Sequence, residues 1–291
     1  LVPMALFLSF RVLDIADMTT DGCFVLGTAV SVTMAAAGHP FLAIPAAMAA
    51  GVCAGFVTAF LQTKLGVPSI LAGIVTNMGL YTINLMVMKW SANVSLLKTA
   101  TIFTLFQQTG IGGQWYEALL AGAVVILAGI LLVLFLGTRL GLSIRATGDN
   151  IDMVRASSVN PTFTITVGLC VANALTALSG AMVGQYQNTA DINGGTGIVV
   201  IGLACLIIGE TVLGRKSVVK GALAAVIGSI IYRFIYAIVL YTKIMPVQGL
   251  KLVTAVIVAL AIAFPTIKNW VAFQQKKSAR KKTYAAKGGR S

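Results

Sequence analysis

The chain alternates long apolar stretches with short polar interruptions. Eight stretches approach the about 20 residues that a helix needs to cross the roughly 30 Å hydrocarbon core of a bilayer. They lie at about 20–37, 41–63, 69–88, 116–137, 160–186, 197–213, 218–241 and 247–267. The apolar run at 1–10 is too short to cross, and we expect a truncated or disordered amino terminus there. With this incomplete run, the pattern predicts an all-α polytopic membrane protein of about nine transmembrane helices.

Composition agrees with that class. Hydrophobic residues make up 58% of the chain and charged residues only 10%, whereas soluble proteins carry about 25% charged residues. The net charge of +13 does not indicate a nucleic-acid partner, because seven of the 21 basic residues lie in the last sixteen positions. We expect a transmembrane domain at 1–272 and a basic cytoplasmic tail at 273–291, which either contacts anionic membrane lipids or stays solvated.

Basic residues between the spans predict the orientation, because cytoplasmic loops carry an excess of Lys and Arg. If the tail is cytoplasmic, successive loops lie on alternate sides of the membrane, and most basic loop residues then fall on the cytoplasmic side. Those on the cytoplasmic side are Arg11, Lys64, Arg139, Arg145, Arg155, Arg215, Lys216 and Lys220, and those outside are Lys89, Lys98, Lys243 and Lys251. The sequence therefore predicts an odd number of spans with the amino terminus outside.

The two halves of the chain share a pattern. A span that begins after polar and glycine residues is followed by a tight turn, a long span, and a turn ending in Pro68 or Pro246. The first unit, about 11–88, starts inside and the second, about 187–267, starts outside, which predicts an inverted-topology repeat. Such repeats contain broken helices near the midplane that surround a substrate path.

Two polar span starts are candidates for that path. The first contains Thr20, Asp21 and Gly22, and the second contains Asn193 and Gly194. Exposed amide groups at helix starts can bind a polar substrate. The alternative is ordinary capping of these helices by Thr20, Asp21 or Asn193.

Polar side chains inside spans are also candidates, because a polar group facing lipid is costly. We expect Asn77, Asn84 and Asn173 to face the protein interior or a cavity. Arg233 either extends to the membrane surface or neutralises a substrate carboxylate. Glu210 lies near the inner end of its span, close to Arg215 and Lys216, which predicts an interfacial ion pair rather than a proton relay.

Small residues four apart predict close helix contacts. The pairs are Gly51 with Gly55 and Gly180 with Gly184, and they serve packing within one subunit or dimerisation.

Motifs for catalysis, nucleotide binding and metal binding are missing from the sequence. The stretch at 209–217 places Arg215 where a P-loop requires lysine. The four cysteines and the lone His39 lack metal-ligand spacing. We therefore predict that the chain is not an enzyme and holds no cofactor or metal, and that any ATP and Mg²⁺ bind to a partner subunit.

A polar segment at 139–155 separates two apolar spans. Its central run, at 141–150, is Gly-Leu-Ser-Ile-Arg-Ala-Thr-Gly-Asp-Asn. It resembles the cytoplasmic coupling segment of permease subunits from branched-chain-amino-acid-type ABC importers. The residues that match that family's pattern are Arg145, Ala146, Gly148, Asp149 and Asn150. The run from Ser9 to Gly22 resembles the first-loop signature of the tryptophan/tyrosine transport permease subfamily, although the amino terminus is shorter than in that family.

The resemblance implies a permease in the bacterial cytoplasmic (inner) membrane that pairs with a second copy, two ABC ATPases and an extracytoplasmic substrate-binding protein. It also implies a short cytoplasmic coupling helix within 139–158. There Arg145, Asp149 and Arg155 would contact an ATPase, and Gly148 would permit a turn. The alternative for this segment is an ordinary solvated loop.

Two functions remain open at this point. The first is the permease subunit of an ATP-driven importer for a small solute, an amino acid or an aromatic compound. The alternative is a secondary transporter driven by an ion gradient. Glu210 is the one acid that lies clearly within a predicted span, and this shortage argues against a proton relay.

Overall fold

The computed structural model describes residues 1–96, 99–108, 113–214 and 217–241, and beyond them only 252, 254–259 and 263. Five of its helices are long and apolar enough to cross a membrane. They are α3 (Pro40–Thr63), α4 (Ser69–Val87), α6 (Tyr116–Gly137), α9 (Pro161–Gln187) and α11 (Val218–Tyr241). These helices lie where the apolar pattern predicts spans.

The remaining elements are shorter. Two apolar helices, α2 (Thr20–Ala36) and α10 (Ile198–Leu213), have 17 and 16 residues. The others are α1 (Val2–Leu6), a π-helix (Phe7–Val12), β1 (Asn93–Ser95), α5 (Ile102–Gln108), a 3₁₀ turn (Gly113–Trp115), α7 (Arg139–Asp149), α8 (Ile151–Ala156) and β2 (Thr189–Asp191). The span predicted at 247–267 falls mostly outside the described residues, and the tail at 273–291 falls wholly outside them. The count of nine spans therefore stays a prediction.

The amino-terminal run is ordered, so the expectation of disorder at 1–10 is wrong. Residues 2–12 are helical and pack against α9, α10 and α11. Two glycines explain why this short run fits inside the bundle: Gly202 of α10 leaves room for Leu6, and Gly221 of α11 leaves room for Phe7.

The core is formed where α2 and α3 pack against α9. Hydrogen bonds from Cys23 to the Asn173 carbonyl and from Ser31 to the Ala181 carbonyl show that α2 runs parallel to α9. On α3, Gly51 and Gly55 lie against the backbone of α9, which runs in the opposite direction. Gly180 of α9 lies against the carbonyl of Phe24. The small-residue pairs therefore serve packing within one subunit, one of the two predicted uses.

The helix directions place most of the basic side chains that the structure describes at one end of the bundle. This basic end carries Arg11, Lys64, Arg139, Arg145 and Lys220, next to the ends of α3 and α6 and the starts of α9 and α11. Lys89 lies at the opposite end, beyond the last residue of α4. Lys98, Lys243 and Lys251, predicted to lie on that side, fall outside the described residues.

A two-stranded sheet adds to the predicted all-α fold at the end opposite the basic end. Strands β1 and β2 pair antiparallel, with Asn93 opposite Asp191 and Ser95 opposite Thr189. The sheet joins the segment after α4 to the segment after α9. Residues Ile192 to Gly197 then lead from β2 to the start of α10.

Two helices begin inside the protein. The chain is not helical at 13–19, and Asp17 in this break contacts Asn173 near the middle of α9. α2 starts just after the break, and α10 starts beside it, where Gly195 lies against the carbonyl of Asp21. The inverted repeat stays a prediction, because part of the second unit falls outside the described residues.

Candidate functional site

A cavity of about 360 Å³ lies where the starts of α2 and α10 meet α4. Five residues that the sequence predicts for the substrate path line it: Asp21, Gly22, Asn77, Asn84 and Asn193. We call it the amide cavity. Its apolar wall is formed by Val25, Met78, Tyr81 and Ile192.

Asp21 caps the start of a distant helix. Its two carboxylate oxygens accept hydrogen bonds from the backbone amides of Gly197 (3.0 Å) and Val199 (2.9 Å). These amides belong to the first turn of α10, where backbone N–H groups have no partner within the helix and the helix dipole favours a negative charge. Capping was the predicted alternative for Asp21, but the capped helix is α10 and not its own α2.

Asn84 is buried, with 1% of its surface exposed. Its Nδ2 donates to the carbonyl of Gly22 at 3.1 Å, which ties α4 to the first turn of α2. The Oδ1 of the same amide is buried and has no hydrogen-bond partner among the described residues. A side chain at position 22 would collide with Asn77 Oδ1, so glycine is what allows α2 and α4 to approach here.

Asp17 begins the polar stretch at 17–22 that the sequence indicates as a candidate for the path, but no individual role was predicted for it. This carboxylate is 1% exposed and accepts hydrogen bonds from Asn173 Nδ2 (2.7 Å) and from the backbone amide of Thr19 (2.9 Å). An acid inside an interruption between apolar stretches was the available signal. The structure places Asn173 beside Asp17 and not on the amide cavity, so Asn173 holds the break in place.

Three other predicted path residues do not line the amide cavity. Thr20 is buried, and its hydroxyl donates to the Asp17 carbonyl at 3.3 Å. Gly194 lies in a turn, where its amide donates to the Asp191 carbonyl at 3.0 Å. Arg233 is exposed on α11. The substrate-path residues that converge on one cavity therefore come from α2, α4 and the segment before α10.

A second cavity, of about 220 Å³, lies at the basic end. We call it the ionic cavity, because Arg11, Arg145, Asp149 and Glu210 line it. Arg11 donates to both carboxylate oxygens of Glu210, at 2.8 Å from Nε and 2.7 Å from Nη2. The expected ion pair of Glu210 exists, and Arg11 is a partner in it. The neighbouring Arg215 and Lys216 fall outside the described residues.

The predicted coupling segment forms two helices, α7 and α8. Thr138 caps α7 by accepting from the Gly141 amide at 3.2 Å, and Asn150 caps α8 by accepting from the amides of Asp152 and Met153. The turn between the helices is at Asn150. Gly148 was expected to permit a turn, which is wrong: it lies within α7, where a side chain would collide with the Val12 carbonyl.

The outer face of this segment is exposed. Arg145, Asp149, Asn150 and Arg155 are exposed, Ala146 is half-buried, and Met153 on α8 exposes 57% of its surface. Arg155 lies 3.5 Å from Asp152, an exposed pair that contributes little stability. The segment thus presents charged and apolar groups together at the basic end.

The described residues contain no cluster of three His, Cys, Asp or Glu side chains that could hold a metal ion. The part of the P-loop-like stretch at 209–213 belongs to α10. A phosphate-binding loop needs free backbone amides just before a helix. The backbone amides of 209–213 lie within α10, so they are not arranged as such a loop.

The chain is similar to known permeases along most of its length. Residues 1–265 match the family model described as the permease component of branched-chain amino acid transport systems. A tyrosine transport system permease protein of Clostridioides difficile (strain R20291) is 31% identical over 90% of this chain and 86% of its own length. An uncharacterised protein of Rickettsia prowazekii (strain Madrid E), RP368, is 30% identical over 89% of this chain and 91% of its own.

No solved structure matches the chain. The family match covers far more than half of the residues and agrees with a bundle of membrane-capable helices. The chain therefore belongs to the family of permease components of branched-chain amino acid transport systems, and it is a multi-pass membrane transport component and not an enzyme.

Proposed function

We propose that this chain is the permease subunit of an ATP-driven ABC importer in the bacterial cytoplasmic membrane. In this proposal it pairs with a second copy and with two ABC ATPases, which bind the ATP and Mg²⁺. An extracytoplasmic binding protein delivers the solute, an amino acid or an aromatic compound. The 31% identity to a permease named for tyrosine transport supports a solute of that class.

The observation that carries the proposal is the amide cavity. It lies where two helices begin inside the bundle, and transporters commonly place their substrate sites at such breaks. Its volume of about 360 Å³ lies near the small end of the about 300–1,000 Å³ of known ligand pockets. A solute of amino-acid size is therefore the suitable occupant.

A chain of contacts connects this cavity to the proposed ATPase-binding face. Gly148 of α7 packs against the Val12 carbonyl, and the broken segment at 13–19 leads directly from there to Asp21. A movement of α7 would therefore push on the backbone at Val12. That position is only nine residues before Asp21, which caps α10. A rigid-body shift driven by partner ATPases is a known way to switch transport proteins.

The test is uptake by proteoliposomes that contain the permease with its ATPase, supplied with the binding protein. We expect uptake of labelled L-tyrosine that requires ATP hydrolysis. The double variant Arg145→Ala, Asp149→Ala should reduce ATP-dependent uptake about tenfold or more, because interface centres carry most of the binding energy. Lys64→Ala, an exposed basic residue at the same end, is the matched control and should keep full uptake.

A secondary transporter would behave differently in the same vesicles. It would take up solute without ATPase and lose uptake when an ionophore dissipates the ion gradient. Uptake that survives without ATP, or that the double variant leaves intact, contradicts the importer proposal. The two-point pairing of the buried Glu210 with Arg11 disfavours a proton-driven form of this alternative, because a proton relay needs an acid that can release its partner.

A further inference from the structure

The polar lining of the amide cavity carries a negative charge and, among the described residues, no positive charge. Its charged side chain is Asp21, and the amides of Asn77, Asn84 and Asn193 lie around it. None of the described residues that line the cavity is Lys, Arg or His. Charge complementarity therefore favours a ligand that brings a positive charge.

Asn84 supplies an acceptor that is already oriented. Its nitrogen must face the Gly22 carbonyl, because a carbonyl accepts hydrogen bonds and the amide oxygen cannot donate one. This fixes the position of Oδ1, which is buried without a partner among the described residues. Buried amide oxygens in proteins are nearly always paired. The Oδ1 of Asn173 also lacks a partner among the described residues, but only Asn84 of these two lines the amide cavity, where a ligand can supply the donor.

Asp21 supplies the charge. Its oxygens each accept one backbone amide of α10, and an ionised carboxylate has about four acceptor positions. Two positions therefore remain for a ligand. The carboxylate stays held in place by α10 while it binds, so little ordering of the side chain is required.

We infer that the amide cavity recognises the amino group of its solute, through the Asp21 carboxylate and the Oδ1 of Asn84. This inference rests on the proposed function and specifies its solute class as small primary amines with an apolar body. An ammonium group has three donors in a compact arrangement, and Asp21 and Asn84 both line the cavity that would receive it. Tyr81, Met78 and Ile192 form the apolar wall for the rest of the solute.

The test compares three matched probes on the purified permease–ATPase complex without binding protein, so that the selectivity of that protein does not enter. L-Tyrosine has an amino and a carboxyl group, tyramine lacks the carboxyl group, and 3-(4-hydroxyphenyl)propionate lacks the amino group. Binding is read as a rise in melting temperature and as competition with labelled L-tyrosine. The same trio is prepared for phenylalanine and leucine, to cover other side chains.

We expect tyramine to bind within about tenfold of L-tyrosine and the acid without an amino group to bind at least about tenfold more weakly. An acid that binds as well as its amine overturns the inference. So does a complex that no amine-bearing probe stabilises. The comparison uses the unaltered complex and does not depend on any variant folding.

A variant then assigns the effect to the cavity. Asn84→Leu removes the free acceptor and should weaken binding of the amines about tenfold, while binding of the acid stays unchanged. Met86→Leu, on the exposed face of the same helix, is the control and should bind as the unaltered complex does. Equal losses for amine and acid would mean that Asn84 acts through packing alone.

The two proposals fail in different ways. If the importer proposal fails, ATP-dependent uptake is absent although the complex still prefers amines. If the inference fails, uptake depends on ATP but the complex binds amine and acid alike. Uptake and binding measured on the same preparation separate these outcomes.

Discussion

The amide cavity and the ionic cavity lie at opposite ends of one short stretch of chain, from Phe7 to Gly22, yet they satisfy their acids differently. In the ionic cavity, Glu210 is paired with the side chain of Arg11. In the amide cavity, Asp21 is held by backbone amides and a neighbouring amide oxygen is left unpaired. The first arrangement is complete in itself, whereas the second retains capacity for a ligand.

This difference predicts that the ionic cavity contributes mainly to stability and the amide cavity mainly to ligand binding. A buried ion pair is costly to break on one side, because the remaining charge stays desolvated. A capped helix start loses less when its cap is removed, because water or a ligand can satisfy the amides. We therefore expect changes at the ionic cavity to affect the free energy of unfolding more than changes at the amide cavity.

The largest effect is expected for Glu210→Ala. It leaves Arg11 without its carboxylate, and loss of one partner from a buried pair costs about 3–5 kcal/mol. The side chain of Arg11 is 36% exposed, so we expect the lower end, about 3 kcal/mol. The measurement is the unfolding free energy in detergent micelles.

Asp152→Ala is the control, because its pair with Arg155 is exposed and contributes less than about 1 kcal/mol. Adding Arg11→Ala to Glu210→Ala should recover part of the loss, since no unpaired charge remains. Similar losses for Glu210→Ala and Asp152→Ala would contradict the contrast between the two cavities.

The next effect is expected for Gly148→Ala. The added methyl group meets the backbone carbonyl of Val12, which cannot rotate away as a side chain could. Overpacking of this kind costs about 2 kcal/mol. ATP-dependent uptake should fall as well, because α7 and the π-helix would separate. Gly137→Ala, a helical glycine with open space around it, should cause no loss of either.

The smallest effect on stability is expected for Asp21→Ala. Removing a helix cap costs about 1 kcal/mol, measured by the same unfolding experiment. Asp21→Asn should recover only part of that stability, since asparagine has one acceptor oxygen for the two backbone amides, and it should not recover binding of amines. Asp191→Ala is the control, because that carboxylate accepts one exposed amide, from Asn193. A loss above that of Glu210→Ala would reverse the comparison.

The sequence predicts much of the fold because lipid imposes strong local requirements. The runs at 116–137 and 218–241 coincide with α6 and α11, since a span must be long, apolar and helical. It predicts the polar residues of the amide cavity for the same reason: Asn77 and Asn84 could not face lipid without cost. Membrane physics acts on each residue separately, so a single sequence is enough.

The sequence did not predict contacts between residues that are far apart in the chain. Glu210 pairs with Arg11, 199 positions away, a partner that the sequence did not indicate. Asp21 caps a helix 176 positions away. The resemblance to a coupling segment implied a turn at Gly148, but a backbone contact with Val12 requires glycine there. Periodicity carries no information about such contacts.

The sheet of β1 and β2 has a consequence for how the protein is made. Asn93 faces Asp191, so the first strand has no partner until nearly a hundred further residues have been synthesised and α6 and α9 have been inserted. Closing so long a loop is entropically costly and slow. The amide cavity is lined by residues synthesised before this interval, such as Asn77, and by residues synthesised after it, such as Ile192. The site therefore forms late in biogenesis, and a chain that stops after α4 exposes a half-built site to the insertion and quality-control machinery.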